Sequence, residues 1–382
     1  MYCTRKLTEQ VWWVGGSDRR LALFENLFPI TRGVSYNSYL ILDEQTAVVD
    51  TVDSSISRQF LENVLHTLDG RPLDYLVINH MEPDHCANIE TLLLRFPTLK
   101  LVGNAKTFAF MGQFYDFPLD GRTVTVTEGD TLSLGGHTLH FHMTPMVHWP
   151  EVMMTYESSE KLLFSADAFG SFGATRRYYG NIVGKYGLQV QAALKKLSGL
   201  DIAMICPLHG PIWRSNLDYL LDKYDKWSRY EPEERAVAVL YASMYGDTEN
   251  AVNLLAAGLA DSGVKNIAMH DISSTHVSTL ISEVFRCSHL VLAAPTYNNG
   301  VYPAMATFLH DMKALGLQNR TVALVENGSW APVSGKLMRE MLGELKGFQV
   351  LEPVVSLKSA LKDSSLEPLF QLRDRILDSL NG

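Results

Sequence analysis

The sequence predicts an α/β protein in two halves: stacked sheets covered by helices, then a doubly wound parallel sheet. Three observations carry this. Short apolar runs of strand length, with few helical stretches between them, fill residues 1 to about 228. A charged segment containing a proline, Ser228 to Arg235, then breaks the pattern. From Ala236 onward, apolar runs and amphipathic stretches alternate regularly.

In the first half the predicted strands are Tyr39–Leu42, Ala47–Asp50, Leu73–Asn79, Val124–Thr127, Leu139–Met143 and Lys161–Ser165. Helical stretches are expected near 56–68, 88–95 and 189–198. In the second half, strands are expected at 236–242, 267–270, 289–294, 321–326 and 349–356. Amphipathic helices should follow at about 248–262, 276–286, 303–314, 334–345 and 366–380. Five strand–helix units in about 147 residues make one doubly wound sheet. The expected domains are 1–230 and 236–382, with no internal repeat and no low-complexity segment.

Composition narrows the function classes. The 382 residues are 46% hydrophobic and 20% charged, a globular balance with room for two or three domains. A formal net charge of -9 argues against binding nucleic acid through bulk phosphate attraction. Cys3, Cys86, Cys206 and Cys287 form no C-x-x-C pair, so they build neither a zinc ribbon nor a rubredoxin-type site and read as reduced thiols. The N-terminus lacks the apolar core of a signal peptide, and no apolar run approaches the roughly 18 residues of a membrane span. A soluble, cytoplasmic protein is expected.

The most informative stretch of the first half is Val77-Ile78-Asn79-His80-Met81-Glu82-Pro83-Asp84-His85, where an apolar run ends in a loop. In extended chain, His80, Glu82 and Asp84 alternate to one side, with His85 beside them. That is a metal site in outline; the plain alternative is that Asp84 only N-caps a helix through Cys86-Ala87-Asn88. His148, Asp167 and His209 complete the set, the last two each following an apolar run. Seven N and O donors are too many for one ion, and two ions bridged by a carboxylate would use them all. His137, His140 and His142 form a second cluster, but without a carboxylate partner they are expected to be structural or exposed.

In the second half, three loops follow strands. Ser243-Met244-Tyr245-Gly246-Asp247-Thr248 leads into a helix whose N-terminal amides, with the hydroxyls of Ser243 and Thr248, suit a phosphate. It carries neither a Walker A lysine nor a G-x-G-x-x-G fingerprint. Alone it reads better as an ordinary strand–turn–helix N-capped by Asp247 or Thr248. The other two loops are Pro295-Thr296-Tyr297-Asn298-Asn299-Gly300 and Asn327-Gly328-Ser329-Trp330. Both stand at strand C-termini, where open α/β sheets bind ligands, and Tyr297 and Trp330 are candidates to stack on a ring.

The H-x-x-x-D-H core with the later His, Asp and His resembles the metallo-β-lactamase superfamily, which implies an αββα sandwich. Where the hydrolases of that superfamily usually carry a second histidine, this chain has Glu82, a harder donor that suits iron better than a zinc hydroxide. H-x-E-x-D-H, then His148 after 62 intervening residues and Asp167 after another 18, resembles the flavodiiron (A-type flavoprotein) family. The three later loops are similar to the FMN site of flavodoxins, in that family's domain order. The resemblance implies one iron on His80, Glu82 and His148, a second on Asp84, His85 and His209, and Asp167 bridging.

It also implies an oxidoreductase that takes electrons through FMN to the iron pair and reduces O2 to water or NO to N2O. An external donor such as rubredoxin or a flavin reductase is implied, as is a head-to-tail homodimer or a dimer of dimers. Without a rubredoxin or flavin-reductase extension, those electrons are expected from a separate protein. The rival is a zinc-dependent hydrolase with an accessory flavodoxin domain. Only 41 residues separate Asp167 from His209, fewer than in many family members. A more open site is expected there; Tyr178 or Tyr179 is a candidate to reach the pocket, although a tyrosine pair more often serves packing.

Overall fold

The computed structural model describes residues 2–382, which fall into two compact units. The first runs to Tyr179 and resumes over Leu188–Asp225; the second comprises Gly180–Gly187 and Lys226–Gly382.

In the first unit two sheets stack. One has seven strands, in the order Arg5–Lys6, Val11–Trp13, Tyr39–Leu42, Thr46–Val49, Tyr75–Val77, Lys100–Gly103 and Thr123–Thr125. The other has five, Thr131–Ser133, Thr138–Met143, Met153–Glu157, Leu162–Phe164 and Met204–Cys206. Alternate residues of both, among them Tyr39, Ile41, Val49, Val77, Phe141, Met153 and Phe164, form one apolar core. Fully burying Phe141 and Phe164 stabilises the stack by roughly 1.5–3 kcal/mol apiece.

The outer faces carry helices. Ser57–Leu68 buries Phe60, Val64 and Leu68, four residues apart, along one stripe. This is the αββα sandwich that the metal motif implied. Thr46–Val49 and Met153–Glu157 are buried at every position, as expected of strands covered on both faces. Met153–Glu157 has no alternation to mark it, and sequence patterning missed it.

The second unit is a parallel sheet in the order Ile267–Asp271, Glu234–Tyr241, Cys287–Tyr297, Thr321–Asn327, then a split last strand. Chain order is therefore 2-1-3-4-5, with a switch point between the first and third strands. The predicted run 349–356 is two pieces, Gln349–Val350 and Val355–Leu357, both paired with Thr321–Asn327. Pro353 lies in the gap, where a residue without an N–H cannot continue the ladder. The core packs Val237, Val239, Val291 and Val325 against Val252, Leu255, Leu372 and Ile376 of flanking helices. Among the described residues no helix is long and apolar enough to cross a membrane.

Candidate metal centre and cofactor pocket

Each donor of the first unit stands just beyond a strand or in a tight turn. His80 follows Tyr75–Val77, and its N–H and that of Asn79 donate to Asp50 Oδ1 at 3.2 and 2.7 Å. Asp50 is itself buried, and burial pushes its carboxyl up to about 6. The chain is extended only as far as Glu82 (φ -64, ψ 141); Pro83 then opens a short helix, Pro83–Cys86. Asp84 and His85 are thus brought round by a helical turn, not by the strand alternation expected for Asp84. The capping alternative fails as well, because Glu82 holds the N-cap position and no side chain caps there.

Strained backbone flanks the later donors. Met146 (φ 66) precedes His148 by two residues, and Ala166 (φ 50) directly precedes Asp167. Gly210 (φ +79) follows His209; a Cβ there would lie 2.8 Å from that of Ser171, and its N–H donates to Ser35 Oγ at 2.8 Å.

The seven side chains converge as two groups, His80, Glu82, His148 and Asp167, then Asp84, His85 and His209. Glu82 Oε2 lies 3.1 Å from both His80 Nε2 and His148 Nε2. Asp84 Oδ2 lies 3.4 Å from His85 Nε2 and 3.3 Å from His209 Nε2. Asp167 stands between the groups. Its Oδ2 is 3.1 Å from His148 Nε2 and 3.6 Å from His80 Nε2, while its Oδ1 is 3.2 Å from His85 Nε2 and 3.6 Å from His209 Nε2. One carboxylate thus offers an oxygen to each of two nitrogen pairs. His85 turns inward, its Nε2 3.1 Å from that of His209.

The electrostatics call for added positive charge. Burial opposes the ionised form of Asp167, but His85, His148 and His209 outweigh it and hold the carboxyl well below its usual range. Burial likewise opposes the charges of Glu82 and His148; their mutual contacts and neighbours win, drawing Glu82 down to about 2 and His148 up to about 9. Three carboxylates facing four imidazole nitrogens stabilise any cation that enters, and Asp84 Oδ1 and Asp167 Oδ1 are buried without a hydrogen-bond partner. The donor set is borderline to hard and fits first-row ions.

Second contacts fix the rings. His80 Nδ1 lies 2.7 Å from Glu151 Oε1, which also accepts from the Met81 N–H at 2.9 Å. His209 Nδ1 donates to the Ser35 carbonyl at 3.0 Å. Both arrangements leave Nε2 as the inward lone pair. Sequence reading missed Glu151, a fully buried carboxylate three residues after His148 whose position next to Trp149-Pro150 was its only signal.

The short connection after Asp167 is filled: Phe172 and Tyr178 are buried, and the Tyr178 ring is 5.7 Å from that of His209. The Tyr178 hydroxyl has no hydrogen-bond partner. The partly exposed side is instead that of Glu82, Asp84 and His148.

In the second unit the three loops surround a cavity of about 560 Å³, within the usual range for cofactor sites. Ser243, Thr248, Thr296, Asn327, Tyr297 and Trp330 line it, as do the other predicted loop residues except Gly246 and Gly300. Gly246 (φ +93) forms the helix N-cap, its N–H bound to Ser243 Oγ at 3.0 Å, so its backbone serves the turn. Neither Asp247 nor Thr248 is the N-cap; the helix runs Asp247–Asp261 with no side-chain cap. Gly300 is drawn away by pairing with Tyr297.

Ser359 was missed. It joins the lining, and its N–H donates to Asn327 Oδ1 at 3.0 Å. Around the cavity Tyr245 is 92% and Trp330 80% exposed, so a flat apolar ligand has ring faces available.

Against known proteins, residues 34–210 match the family model described as ODP family beta lactamase, and residues 239–371 match the flavodoxin model. An anaerobic nitric oxide reductase flavorubredoxin of Pectobacterium atrosepticum is 31% identical over 354 residues, covering 86% of this chain and 68% of that protein. The chain belongs to the flavorubredoxin and flavodiiron protein family. Among flavodiiron structures, the rubredoxin oxygen:oxidoreductase of Desulfovibrio gigas superposes with a TM-score of 0.90 at 28% identity, over 99% of both chains. The flavodiiron protein of Giardia intestinalis also reaches 0.90, over 99% of this chain and 98% of that one; at 24% identity it speaks for the fold.

Proposed function

We propose that the chain is a flavodiiron oxidoreductase that reduces O2 to water or NO to N2O at a non-haem di-iron centre. The observation that carries this is Asp167, whose two carboxylate oxygens face separate histidine pairs. His80, Glu82 and His148 would hold one iron and Asp84, His85 and His209 the other, with Asp167 offering an oxygen to each group. The FMN lies in the cavity of Ser243, Thr248, Thr296, Asn327, Tyr297 and Trp330. When bound, FMN would supply two-electron uptake with single-electron release, and the irons would supply open positions for a small gas.

The chain's own part is to hold and to exclude. Glu151 and the Ser35 carbonyl keep the Nε2 lone pairs of His80 and His209 pointing inward. Phe172 and Tyr178 keep water from the Asp167 side, which leaves the Glu82, Asp84 and His148 side for small-molecule entry. We assign residues 1–230 to the metal domain and 236–382 to the flavin domain. The reading extends to a cytoplasmic protein that receives electrons from a rubredoxin or flavin reductase, and to a head-to-tail homodimer, since two-fold dimers are the commonest oligomers. The exposed Tyr245 and Trp330 support a covering surface over the flavin.

The test is anaerobic stopped-flow. Purified protein carrying two irons and one FMN per chain is reduced, then mixed with O2 or with NO. Rapid flavin reoxidation by at least one gas is expected, abolished in His148→Ala with flavin retained. A colourless protein holding only zinc, or reoxidation unchanged in His148→Ala, overturns the proposal.

A further inference from the structure

His137 was set aside in the sequence for want of a carboxylate partner. In the fold it has two nearby, at the end of the sandwich opposite the paired metal site. Strand Met153–Glu157 begins where the Met153 N–H bonds Asn79 O, beside His80. It ends four residues later at Glu157, roughly 14 Å away. There the turn into Leu162–Phe164 folds back, with Glu157 Oε1 and Oε2 accepting the Ser159 and Glu160 N–H groups, both at 2.7 Å. His137 comes from the neighbouring hairpin, its N–H held by Asp43 Oδ2 at 2.6 Å. The donor atoms of His137, Glu157 and Glu160 lie within 4.8 Å of one another.

The placement of the two His137 ring nitrogens is the key. Its Nε2 faces the Gln10 side-chain oxygen at 3.0 Å. Nδ1 is 2% exposed with its residue and lies 3.0 Å from Glu157 Oε1. Nδ1 makes no hydrogen bond at that distance. A buried ring nitrogen set close to a fully buried carboxylate but outside hydrogen-bond geometry suits two donors turned to a shared cation. Asp84 Oδ1 and Asp167 Oδ1 show the same lack of a partner in the paired cluster. The lysines closest in sequence are engaged elsewhere, Lys6 with Glu9 and Lys161 with Asp201.

We propose that His137, Glu157 and Glu160 bind one divalent first-row cation, separate from the iron pair. One imidazole and two carboxylates suit Zn2+, Mn2+ or Fe2+ and exclude soft Cu+. Three protein ligands leave a position for water. Thr8 Oγ1 hydrogen-bonds Glu160 Oε2, so the ion ties the N-terminal loop at Thr8 and Gln10 to both hairpins. Its role is structural, because the site is sealed at His137 and Glu157.

Zinc is the probe. Holoenzyme with its iron and FMN is dialysed against Zn2+ and gel-filtered, and zinc and iron are counted separately. One zinc per chain is expected with iron unchanged, and the melting temperature rises with zinc. Glu160→Gln changes a partly exposed side chain and keeps the fold; His137→Gln is the harsher variant. Each should weaken zinc binding by more than the roughly 10–100-fold that losing an outer-shell partner costs, with iron and flavin at wild-type levels. Equal zinc in wild type and Glu160→Gln, or zinc taken up only as iron is lost, overturns the proposal.

Discussion

The two cofactor sites are built on opposite principles. The metal centre gathers seven titratable side chains, four of them buried, and neighbours hold two of the rings and the turn before them: His80 by Glu151, His209 by the Ser35 carbonyl, His80 and Asn79 N–H by Asp50. The flavin cavity is lined by loop residues, few of them charged, with aromatic rings left in solvent. The first is preorganised by charge, so a single substitution should be felt strongly. The second spreads its contacts over three loops, and single losses there should be partial.

Asp167→Asn should break the comparison's first side most severely. It removes the charge shared by both histidine pairs, and the amide presents a donor to one of them. Iron content should fall toward zero, with gas reduction down by well over 100-fold, more than an outer-shell loss costs. Elemental analysis beside flavin absorbance checks this; two irons retained per chain would refute the bridging position. Glu151→Gln comes next. It keeps the shape and the Met81 contact but loses the charge beside His80 Nδ1. A fall of about 10–100-fold in iron affinity is expected by chelator competition, without loss of flavin.

The same contrast explains what the sequence made legible. Candidate metal donors are rare residue types whose chemistry survives without coordinates, so His80, Glu82, Asp84, His85, His148, Asp167 and His209, which the fold brings together, could be gathered from residue type and position after apolar runs. How Asp84 reaches the site could not, because Pro83 starts a helix where alternation predicted extended chain. Glu151 was hidden because a single carboxylate between Trp149-Pro150 and Val152-Met153 belongs to no motif of its own. The carboxylates near His137 were missed for a related reason: Glu157 and Glu160 lie on another hairpin, 20 or more residues away. In the flavin half, strand order and loop position were readable from periodicity, whereas Ser359 comes from a fifth-strand loop that no motif marked.

On the flavin side, Trp330→Ala tests how far the binding is distributed. An indole 80% exposed in the free pocket has little to lose from the fold, so melting should not change. An aromatic stacking contact contributes about 0.5–1.5 kcal/mol. FMN should therefore bind about 2- to 10-fold more weakly, measured by fluorescence titration of the deflavinated protein. Loss of all binding would show that the pocket depends on one anchor, as the metal centre does.

The smallest effect concerns histidines that the two units treat oppositely. Carboxylate neighbours lift His148, whereas His289 has no carboxylate partner. It sits near the start of Cys287–Tyr297 between the hydroxyls of Ser288 and Ser379. Burial, then the Arg235 charge, lowers it to about 4. The unfolded chain takes up this proton near the ordinary value of about 6.5, and the folded chain refuses it until about 4. Stability from the neutral ring is therefore complete above pH 6.5 and declines as pH falls toward 4. Melting of the flavin unit should drop over that window, and His289→Gln, which cannot titrate, should flatten the slope. Because the ring touches neither cofactor site, gas reduction at neutral pH should not change. An equally steep slope in His289→Gln would move the acid sensitivity to another group.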